Sequence, residues 1–594
     1  MTLNGSRFYV DLRERFTVGT QLPVSLSSFQ LRQRTSSTGT YASAWGATGR
    51  YEAKRQSGGP LIPSKKIEGR LSFVTSDHNP IMKNRYGGPR LENDHSRAGR
   101  GQLLFKLPGE SKLLLIGRIG DMNNLGGGWE SKTAYVIPDG PNAGYGAIGG
   151  NLNFLGYPSS GYLTDGNESA KHVRVRTYQA TARLTTPLSD KVTWTNLFDY
   201  QHIKKSYQED SDTTPVNYFE FFNGNTSRQI SFDTHVDGKT GRFQWIGGFY
   251  FLDISGDYYQ GAEGSLYGGL YDQYHLNTRS YAGFGQTQYA ITNKVHLIGG
   301  IRFTRDEKGF SFNQAYPGYS YTFNRATVGN LAQLNANMWS GKAELTYQFT
   351  PAIMGYASYN VGVKAGSFNA PLDAGSDVDN SKIPFKPEEL RDYEIGVKSE
   401  LLDHRVRVNL SGYYYDYKNY QALRTSNATQ RVSNAPAEYY GAEAEIRWIP
   451  SDHWRVTANA AYNHGTVKKI DLNGTGERDY QPANAPRGSG NLTVAHIDPT
   501  RWGTVTEQVD GNFVTHQYFA LTNAPDTAQK AYGLMNLRLF YTSPDRRWDL
   551  VTGVENVTGQ KYATAIFDLA SFFGFAQIYR GRPRWWSASM TYHF

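Results

Sequence analysis

The stretch WSGKAELTYQF at residues 339–349 alternates strictly between apolar and polar side chains. Its odd positions, from Trp339 to Phe349, are Trp, Gly, Ala, Leu, Tyr and Phe, while its even positions are Ser, Lys, Glu, Thr and Gln. An alternation of period two puts the two sets of side chains on opposite faces of a β-strand. The segment therefore predicts a strand with one apolar face and one wet face.

The same alternation recurs elsewhere, most clearly at the end of the chain. There one face carries Trp586, Ala588, Met590, Tyr592 and Phe594, with polar residues between them. Residues 405–411 also alternate, although that segment taken alone fits a soluble β-sandwich as well. How the strands are connected must decide between a sandwich and a barrel.

Composition excludes a helical membrane protein. The mean hydropathy is -0.57, and the best short apolar run is only Leu113 to Ile116, far below the roughly 18 residues that a spanning helix needs. A closed barrel passes this test, because only every second residue of each strand faces lipid. With 42 tyrosines and 63 glycines, the chain is also too rich in aromatic residues for a disordered one.

Short and long connections alternate along almost the whole chain. The tight, polar turns are 188–191, 237–241, 292–294, 350–352, 403–404, 451–453 and 544–546. Between them lie long stretches rich in Gly, Asn, Asp and Tyr, including 258–277 and 310–337. Tight periplasmic turns opposite long extracellular loops are typical of an outer-membrane barrel, whereas a sandwich has no reason to sort its loops by length.

Segments bounded in this way predict an all-β fold, a 22-stranded antiparallel transmembrane β-barrel over residues 38–594. The predicted strands are 38–48, 49–59, 66–76, 96–107, 111–121, 173–186, 191–204, 227–237, 242–257, 278–291, 295–307, 338–349, 352–362, 389–402, 404–418, 435–449, 453–466, 485–498, 503–519, 530–543, 547–563 and 579–594. A barrel of this width normally holds a plug in its lumen. Residues 1–37 are interpreted as a leader or a plug remnant.

Residues 385–398 read FKPEELRDYEIGVK. This segment resembles the motif that leads from an extracellular loop into a descending strand in the TonB-dependent outer-membrane receptors. Its matching residues are Phe385, Pro387, Glu388, Tyr393, Glu394, Gly396 and Lys398. Further similar segments are VGVKAGSFNAP at 361–371, NAPAEYYGAEAE at 434–445, ENVTGQKY at 555–562, and Gly581, Pro583 and Arg584.

The resemblance implies a receptor for a small-molecule substrate. In the family, substrate binds extracellular loops and plug, the TonB system pulls on the plug, and the ligand passes through the lumen without bond breakage. The family's long plug and TonB-binding segment are not recognised ahead of residue 38, and residues 1–16 contain no signal-peptide core. The expectation is a barrel without most of its plug, whose TonB partnership would run through a plug not recognised in this sequence.

The aromatic terminus resembles a barrel-assembly signal. Phe594 follows an amphipathic strand, as in the signal that the barrel-assembly machinery reads. This predicts a Gram-negative outer-membrane location, with outer-membrane lipid and lipopolysaccharide around a monomer.

Tyrosines in two predicted loops are the candidate substrate-binding residues, because a tyrosine ring offers an apolar face with a hydrogen-bonding rim. They are Tyr258, Tyr259, Tyr267, Tyr271, Tyr274, Tyr316, Tyr319 and Tyr321. The alternative is that these rings pack loop against loop or form the interfacial girdle. Trp585 and Trp586 are interpreted as girdle or lipid-facing residues. Lys342, Glu344, Arg405 and Arg407 would either contact a plug or keep the inner wall wet.

Other function classes find little support. The formal charge of +9 is spread singly rather than gathered in a patch, so nucleic-acid binding is not predicted. With no cysteine and scattered histidines, neither a metal site nor a cofactor is predicted, and the acidic loops 373–380 and 471–479 do not fit the EF-hand spacing. The chain lacks GxSxG and P-loop motifs, so it is not predicted to be an enzyme.

Three functions remain open at this level. The first is a receptor for TonB-dependent uptake of a scarce nutrient: a siderophore, a vitamin, a carbohydrate or an aromatic compound. The second is a passive porin-like channel, or a plug-less fragment without energised transport. The third is an adhesion barrel that displays its loops. Strand number favours the receptor, because passive pores typically have about 16 to 18 strands.

Overall fold

Twenty-two long strands form one antiparallel sheet in the computed structural model, which describes residues 38–133, 152–153, 155–166, 172–266, 268–370, 379–426, 429–472, 476–570 and 574–594. The strands are β1 Thr38–Gly46, β2 Arg50–Pro60, β3 Ile67–His78, β4 Asp94–Lys106, β5 Lys112–Leu125, β6 His172–Ser189, β7 Val192–Asp210, β8 Glu220–Thr240, β9 Phe243–Glu263, β10 Leu270–Ala290, β11 Val295–Tyr316, β12 Gln333–Thr350, β13 Ile353–Lys364, β14 Glu388–Leu401, β15 Val406–Ser426, β16 Thr429–Ser451, β17 Trp454–Ile470, β18 Gly488–Thr500, β19 Gly503–Val514, β20 Tyr532–Thr542, β21 Trp548–Glu555 and β22 Trp585–His593.

The sheet closes on itself. Each strand pairs with the next, and β1 pairs with β22 from Thr40 opposite His593 to Gly46 opposite Ser587. Beyond that ladder, the Gly39 amide donates to the Phe594 carbonyl at 3.0 Å and the Phe594 amide donates back at 3.1 Å. Within the described ranges, each of the 22 barrel strands is paired on both sides, as a sheet in lipid requires. The prediction of a 22-stranded antiparallel barrel is confirmed.

The odd and even positions of residues 339–349 lie on the outer and inner faces of the barrel wall, respectively. Trp339 is 59% exposed and Phe349 54% exposed on the outer face. On the inner face, the Lys342 ammonium lies 2.6 Å from the Glu344 carboxylate. Burying large apolar side chains in hydrocarbon while their polar neighbours face the lumen is the arrangement that a membrane barrel stabilises.

The tight turns lie where the sequence predicts them, and the ladders on the other side of the barrel are longer than predicted. The predicted strands 242–257 and 278–291 are Phe243–Glu263 and Leu270–Ala290 in the structure. At 21 residues each, they exceed the 9 to 11 residues that cross a bilayer. Their backbone pairing therefore continues above the membrane, where polar and glycine-rich residues had indicated loops.

The last strands are shorter than predicted. The predicted strands 547–563 and 579–594 are Trp548–Glu555 and Trp585–His593, since residues 563–580 form a separate hairpin. Trp585 is only 2% exposed and packs edge-on against His78, with ring centroids 5.7 Å apart. The lipid-facing interpretation of Trp585 is therefore wrong, because its odd position belongs to the inner face. Trp586, 51% exposed, does face outward.

The extracellular connections contain short elements of their own. Short strands lie at Lys83–Asn84, Glu130–Thr133, Thr164–Asp165, Tyr319–Phe323, Ser367–Phe368, Pro384–Phe385, Arg478–Tyr480, Gln517–Tyr518, Ala528–Gln529, Ala563–Leu569 and Phe575–Arg580. Helical turns lie at Ala47–Gly49, Arg325–Val328, Gly329–Ala332, Asn380–Lys382 and Pro525–Thr527. The turn at 325–328 begins at Asn324, whose side chain accepts from two backbone amides.

Among the described residues, no helix has the length and apolar character needed to cross a membrane. Residues 1–37, interpreted above as a leader or plug remnant, lie outside the described residues.

Candidate functional site

Four of the candidate tyrosines lie on the extended ends of β9 and β10, not in a loop. Tyr258 stands opposite Tyr274 in the ladder, and their rings stack in parallel at 5.0 Å. Both lie on the inner face. Tyr259 and Tyr271 occupy the alternate, outer face, where the Tyr271 ring stacks on Phe222 at 6.0 Å. The structure therefore divides this set between the two sides of the wall.

The remaining candidates pack into the loops. Tyr316 lies against the buried cluster that includes Phe219 and Leu270. The Tyr321 hydroxyl donates to Asn380, and Tyr319 pairs with Tyr316 in a short hairpin. The predicted loop at 310–337 is thus largely paired strand. Tyr267 lies outside the described residues.

An inner run of tyrosines on β15 and β16 is a candidate surface that the sequence analysis missed. Tyr413 stacks on Tyr415 at 4.4 Å, and Tyr417 lies 5.4 Å from both Tyr420 and Tyr439. The run ends at a buried cluster of loop residues, so it leads from the loops into the lumen. The spacing 413, 415, 417 could have revealed it, because residues two apart share a strand face.

The segment FKPEELRDYEIGVK joins β14 to its neighbours. The Glu394 carboxylate accepts from the Tyr356 hydroxyl of β13, and the Lys398 ammonium lies 5.6 Å from the centre of that ring. Gly396 makes room for the ring, since a Cβ there would lie 2.5 Å from it. Glu388 accepts from the Gln421 amide of β15 at 2.6 Å.

The other motif residues lie on the outer face of the barrel or just before β14. Tyr393 is 49% exposed on the outer face and lies 5.0 Å from Tyr359. Phe385 pairs with Ser367 just before the strand begins, and Pro387 immediately precedes β14. The motif therefore acts as a structural joint between three strands.

A hairpin from the last extracellular connection, residues 563–580, extends over the mouth of the barrel. We call it the mouth hairpin. Its second strand pairs with Glu130–Thr133 of the β5–β6 connection, from Phe575 opposite Thr133 to Ile578 opposite Glu130. Its Leu569 and Phe575 pack in one buried cluster with Phe219 of the β7–β8 connection.

The same cluster includes residues at the tops of β9 and β10, Ala262 and Leu270. These strands lie nearly half the circumference from β22. The mouth hairpin therefore reaches across the lumen to the far wall.

Buried polar contacts fix the mouth hairpin. The Arg580 guanidinium lies 2.7 Å from the Glu130 carboxylate, whose side chain is 3% exposed. The Tyr579 hydroxyl donates to Glu92, and the Gln577 side-chain amide donates to the Ser211 carbonyl at 2.9 Å. Burial raises the pKa of Glu92 and of Glu130, and in Glu130 the Arg580 charge works against this shift. Contacts to three separate connections hold the hairpin in place.

Two carboxyl groups meet where the mouth hairpin contacts the β19–β20 connection. Burial and the neighbouring Asp568 charge raise the pKa of Asp526 to about 7, against an opposing effect of Lys132. Asp568 accepts from the Ala570 amide at 3.0 Å, and burial raises its pKa also. One of the Asp526 oxygens is buried and has no hydrogen-bond partner among the described residues. This contact is therefore favoured when a proton is present.

We expect docking of the mouth hairpin to weaken as pH rises from 5 to 8. Because the pKa of Asp526 is raised in the folded state, its stabilising contribution is present below about pH 4 and is lost as pH rises through about 7. Hydrogen exchange of residues 563–570, followed by mass spectrometry, should show faster exchange at pH 8 after correction for intrinsic rates. Asp526→Asn should weaken this pH dependence and leave the part that comes from the buried Asp568, whereas Asp498→Asn, at an exposed position near a periplasmic turn, should keep all of it. An unchanged pH dependence in Asp526→Asn would contradict the assignment.

Among the described residues, no group of three or more His, Cys, Asp and Glu side chains is arranged to hold a metal ion. The mouth presents aromatic faces and hydroxyl groups beneath the mouth hairpin.

Comparison with known proteins identifies a matching family model and a curated relative. The family model described as TonB dependent receptor-like, beta-barrel, matches residues 114–557. A curated relative, the metal-pseudopaline receptor CntO of Pseudomonas aeruginosa strain UCBPP-PA14, is 25% identical over 285 residues, which cover 42% of this chain and 38% of the relative. The match thus spans well under half of that relative.

Solved structures share the fold. The ferric yersiniabactin uptake receptor FyuA of Yersinia pestis superposes with a TM-score of 0.76 at 17% identity, covering 94% of this chain and 80% of that one. The closed form of the ferric-catecholate import receptor Fiu of E. coli K12 gives a TM-score of 0.72 at 16% identity, covering 94% and 82%. The chain belongs to the TonB-dependent receptor β-barrel family, which is located in the outer membrane of Gram-negative bacteria.

Proposed function

We propose that this chain is the membrane barrel of a receptor that takes up a metal bound to a small organic chelator, with energy from the TonB system. The observation that carries the proposal is the mouth hairpin, held across the lumen by the Glu130–Arg580 pair. A passive channel needs a permanently open water path, whereas a receptor needs a cover that moves when ligand binds. The covered mouth therefore supports a receptor over the porin-like alternative.

The aromatic lining supports a chelate as substrate. Tyr258 and Tyr274 form a stacked pair on the inner wall, and the run from Tyr413 to Tyr439 forms a second aromatic surface. Tyrosine faces suit flat organic groups, and their hydroxyls suit the oxygen-rich rim of a metal chelate. The relatives named above are receptors for metal-pseudopaline, ferric yersiniabactin and ferric catecholate. The role of the eight tyrosines in substrate binding stays a prediction. Of these eight, the proposal retains only the inner-face pair, Tyr258 and Tyr274.

The mechanism uses binding and motion, and no bond in the substrate is broken. The chelate would lie against the inner tyrosines, and its contacts would compete with those that hold the mouth hairpin. Release of the hairpin would open the lumen, and TonB would act through a plug, as the family resemblance implies. Family relatives and fold are those of transport receptors, not of enzymes.

Metal uptake by cells tests the proposal directly. Cells with and without this gene, grown under metal limitation, would be given iron, copper, nickel, cobalt or zinc at nanomolar concentration in conditioned medium that contains their own chelators. We expect cell-associated metal, measured by mass spectrometry, to fall in the deletion strain for at least one metal. A protonophore should abolish the difference, because TonB draws on the inner-membrane gradient. Gene-dependent uptake that resists the protonophore would instead support passive diffusion.

Replacing Tyr415 tests the inner aromatic surface. We expect Tyr415→Ala to raise the metal concentration for half-maximal uptake by up to about tenfold, since an aromatic contact contributes roughly 0.5 to 1.5 kcal/mol. Tyr415→Phe keeps the ring and should stay close to wild type. Tyr462→Ala, on the outer face at 49% exposure, is the matched control. Equal uptake by the Ala and Phe variants, at equal amounts of folded barrel, would remove Tyr415 from the site.

A further inference from the structure

Three arginines form a row on the inner face of β3, β4 and β5. Arg100 stands directly opposite Arg118 in the β4–β5 ladder. Arg70 on β3 stands opposite Gln102, two residues along from Arg100. The alternate positions on these strands carry outward side chains, such as Leu71 at 69% exposure and Ile119 at 61%. Period two therefore points the arginines into the lumen.

Among the described residues, Arg70, Arg100 and Arg118 form no ion pair with a carboxylate. The Arg118 guanidinium donates to the Gln179 side chain at 3.0 Å. The Nε atoms of Arg100 and Arg118 are buried and have no hydrogen-bond partner in the part of the chain that the structure describes. Like charges directly opposite each other destabilise a sheet. The row therefore costs stability unless an anion compensates it.

Nearby inner-face carboxylates have other partners. Glu68, two residues before Arg70, pairs with the Lys106 ammonium. Asp199 on β7 accepts from the Gln179 side-chain amide at 2.7 Å and from the Thr181 hydroxyl at 2.6 Å. The row thus keeps an excess of positive charge and of hydrogen-bond donors.

The row lies near mid-height in the membrane. Arg100 precedes the periplasmic end of β4, at Lys106, by six residues, and Arg118 follows the start of β5, at Lys112, by six. Six residues rise about 20 Å along a strand, and a tilt of about 40° leaves roughly 15 Å along the membrane normal, about half of the hydrocarbon thickness.

Two carboxylates lie on the opposite wall. Glu394 and Glu443 lie on the inner faces of β14 and β16. These strands lie half the circumference from β3 and β5 in a closed barrel of 22 strands. An anion at this height is therefore drawn to the arginines and away from these two carboxylates.

We propose that Arg70, Arg100 and Arg118 form a binding site for a small solute bearing two or more carboxylates, or a phosphate, as it passes through the lumen. Side chains directly opposite each other have Cβ atoms roughly 5 Å apart, and diagonal neighbours roughly 7 to 8 Å. This spread suits a polyanion better than a single chloride. Each guanidinium can bind a carboxylate or phosphate through paired N–H donors. The site deepens the proposed function, because it assigns anionic groups to the transported solute.

Thermal unfolding of the purified full chain in detergent tests the site without transport. The probe is citrate, titrated at constant ionic strength against sodium chloride. We expect Tm to rise saturably with citrate in the wild type. Arg100→Gln/Arg118→Gln should weaken the apparent citrate affinity by about 100-fold, since charge-assisted hydrogen bonds are lost. Without citrate, the same variant should melt above the wild type, because the repulsion is relieved.

Arg97→Gln is the matched control, on the outer face of the same strand, and should change neither result. A wild type that shows no citrate-dependent shift would overturn the proposal, and this is also the result expected if the row only meets carboxylates of a polypeptide lodged in the lumen. A double variant that melts below the wild type would show a structural role and overturn it as well. The readout does not involve metal or cells, so it can fail while the uptake experiment succeeds.

Discussion

Phe575→Ala is expected to free the mouth hairpin while the barrel stays folded. The Phe575 side chain is fully buried in the cluster that joins the hairpin to Phe219 and to the top of β10. Truncating a buried phenylalanine costs about 3 to 5 kcal/mol. Because this contact stabilises hairpin docking and not the ladder, protection of the hairpin amides from hydrogen exchange should fall by about two to four powers of ten.

The experiment compares hydrogen exchange of residues 563–570 and 574–580 with that of the β-ladder in the same sample. Phe513→Ala is the matched control, because Phe513 lies on the outer face of β19 at 51% exposure. It removes an identical side chain and should leave the hairpin protected. If Phe575→Ala exchanges like the wild type, the hairpin is held by its polar contacts alone and the packing argument is wrong.

Glu130→Gln should weaken docking of the mouth hairpin, because it removes the carboxylate that pairs with Arg580. The Glu130 carboxylate is almost fully buried beside Arg580, and removing one member of a buried ion pair leaves the other charge without compensation. Such a loss costs about 3 to 5 kcal/mol. Exchange of residues 130–133 and 575–580 should therefore accelerate together, because these two strands pair with each other.

The double variant Glu130→Gln/Arg580→Gln should recover part of the loss, since no buried charge is then left alone. Lys382→Gln is the control at a surface pair, where Lys382 and Asp379 are 68% and 47% exposed at 3.4 Å. A pair of that kind contributes at most about 1 kcal/mol. A double variant as loose as Glu130→Gln would show that the hairpin depends on the Glu130 carboxylate itself and not on the pairing.

The wall of the barrel could be predicted from sequence because the alternation of each strand depends only on that strand's own residues. A strand between lipid and water must alternate, so Trp339 to Phe349 revealed both faces without a partner strand. Turn residues then fixed where each strand meets the periplasm. The upper ends of β9 and β10 were missed because backbone pairing continues there under residues, such as Tyr258 and Gly261, whose composition resembles a loop.

The cover over the mouth could not be predicted, because its contacts join distant parts of the chain. Arg580 and Glu130 are separated by 450 residues, and no periodicity connects them. Residues 564–578 lie between the predicted strands 547–563 and 579–594, so the sequence did not reveal the hairpin. The inner tyrosines differ: Tyr413, Tyr415 and Tyr417 share one face by spacing alone and were available to sequence reasoning.

The pairing of β1 with β22 closes the ring by joining the two barrel strands that lie farthest apart in sequence. Neighbouring strands can zip together as hairpins in sequence order, but the final ladder must join residues near 40 to residues near 593. Contacts so far apart in sequence form slowly and expose an unfinished edge in the meantime. Until the last strand has paired, the nascent sheet therefore needs another surface to bind its open edge. Phe594, hydrogen-bonded to Gly39, lies at the position from which that surface would have to dissociate.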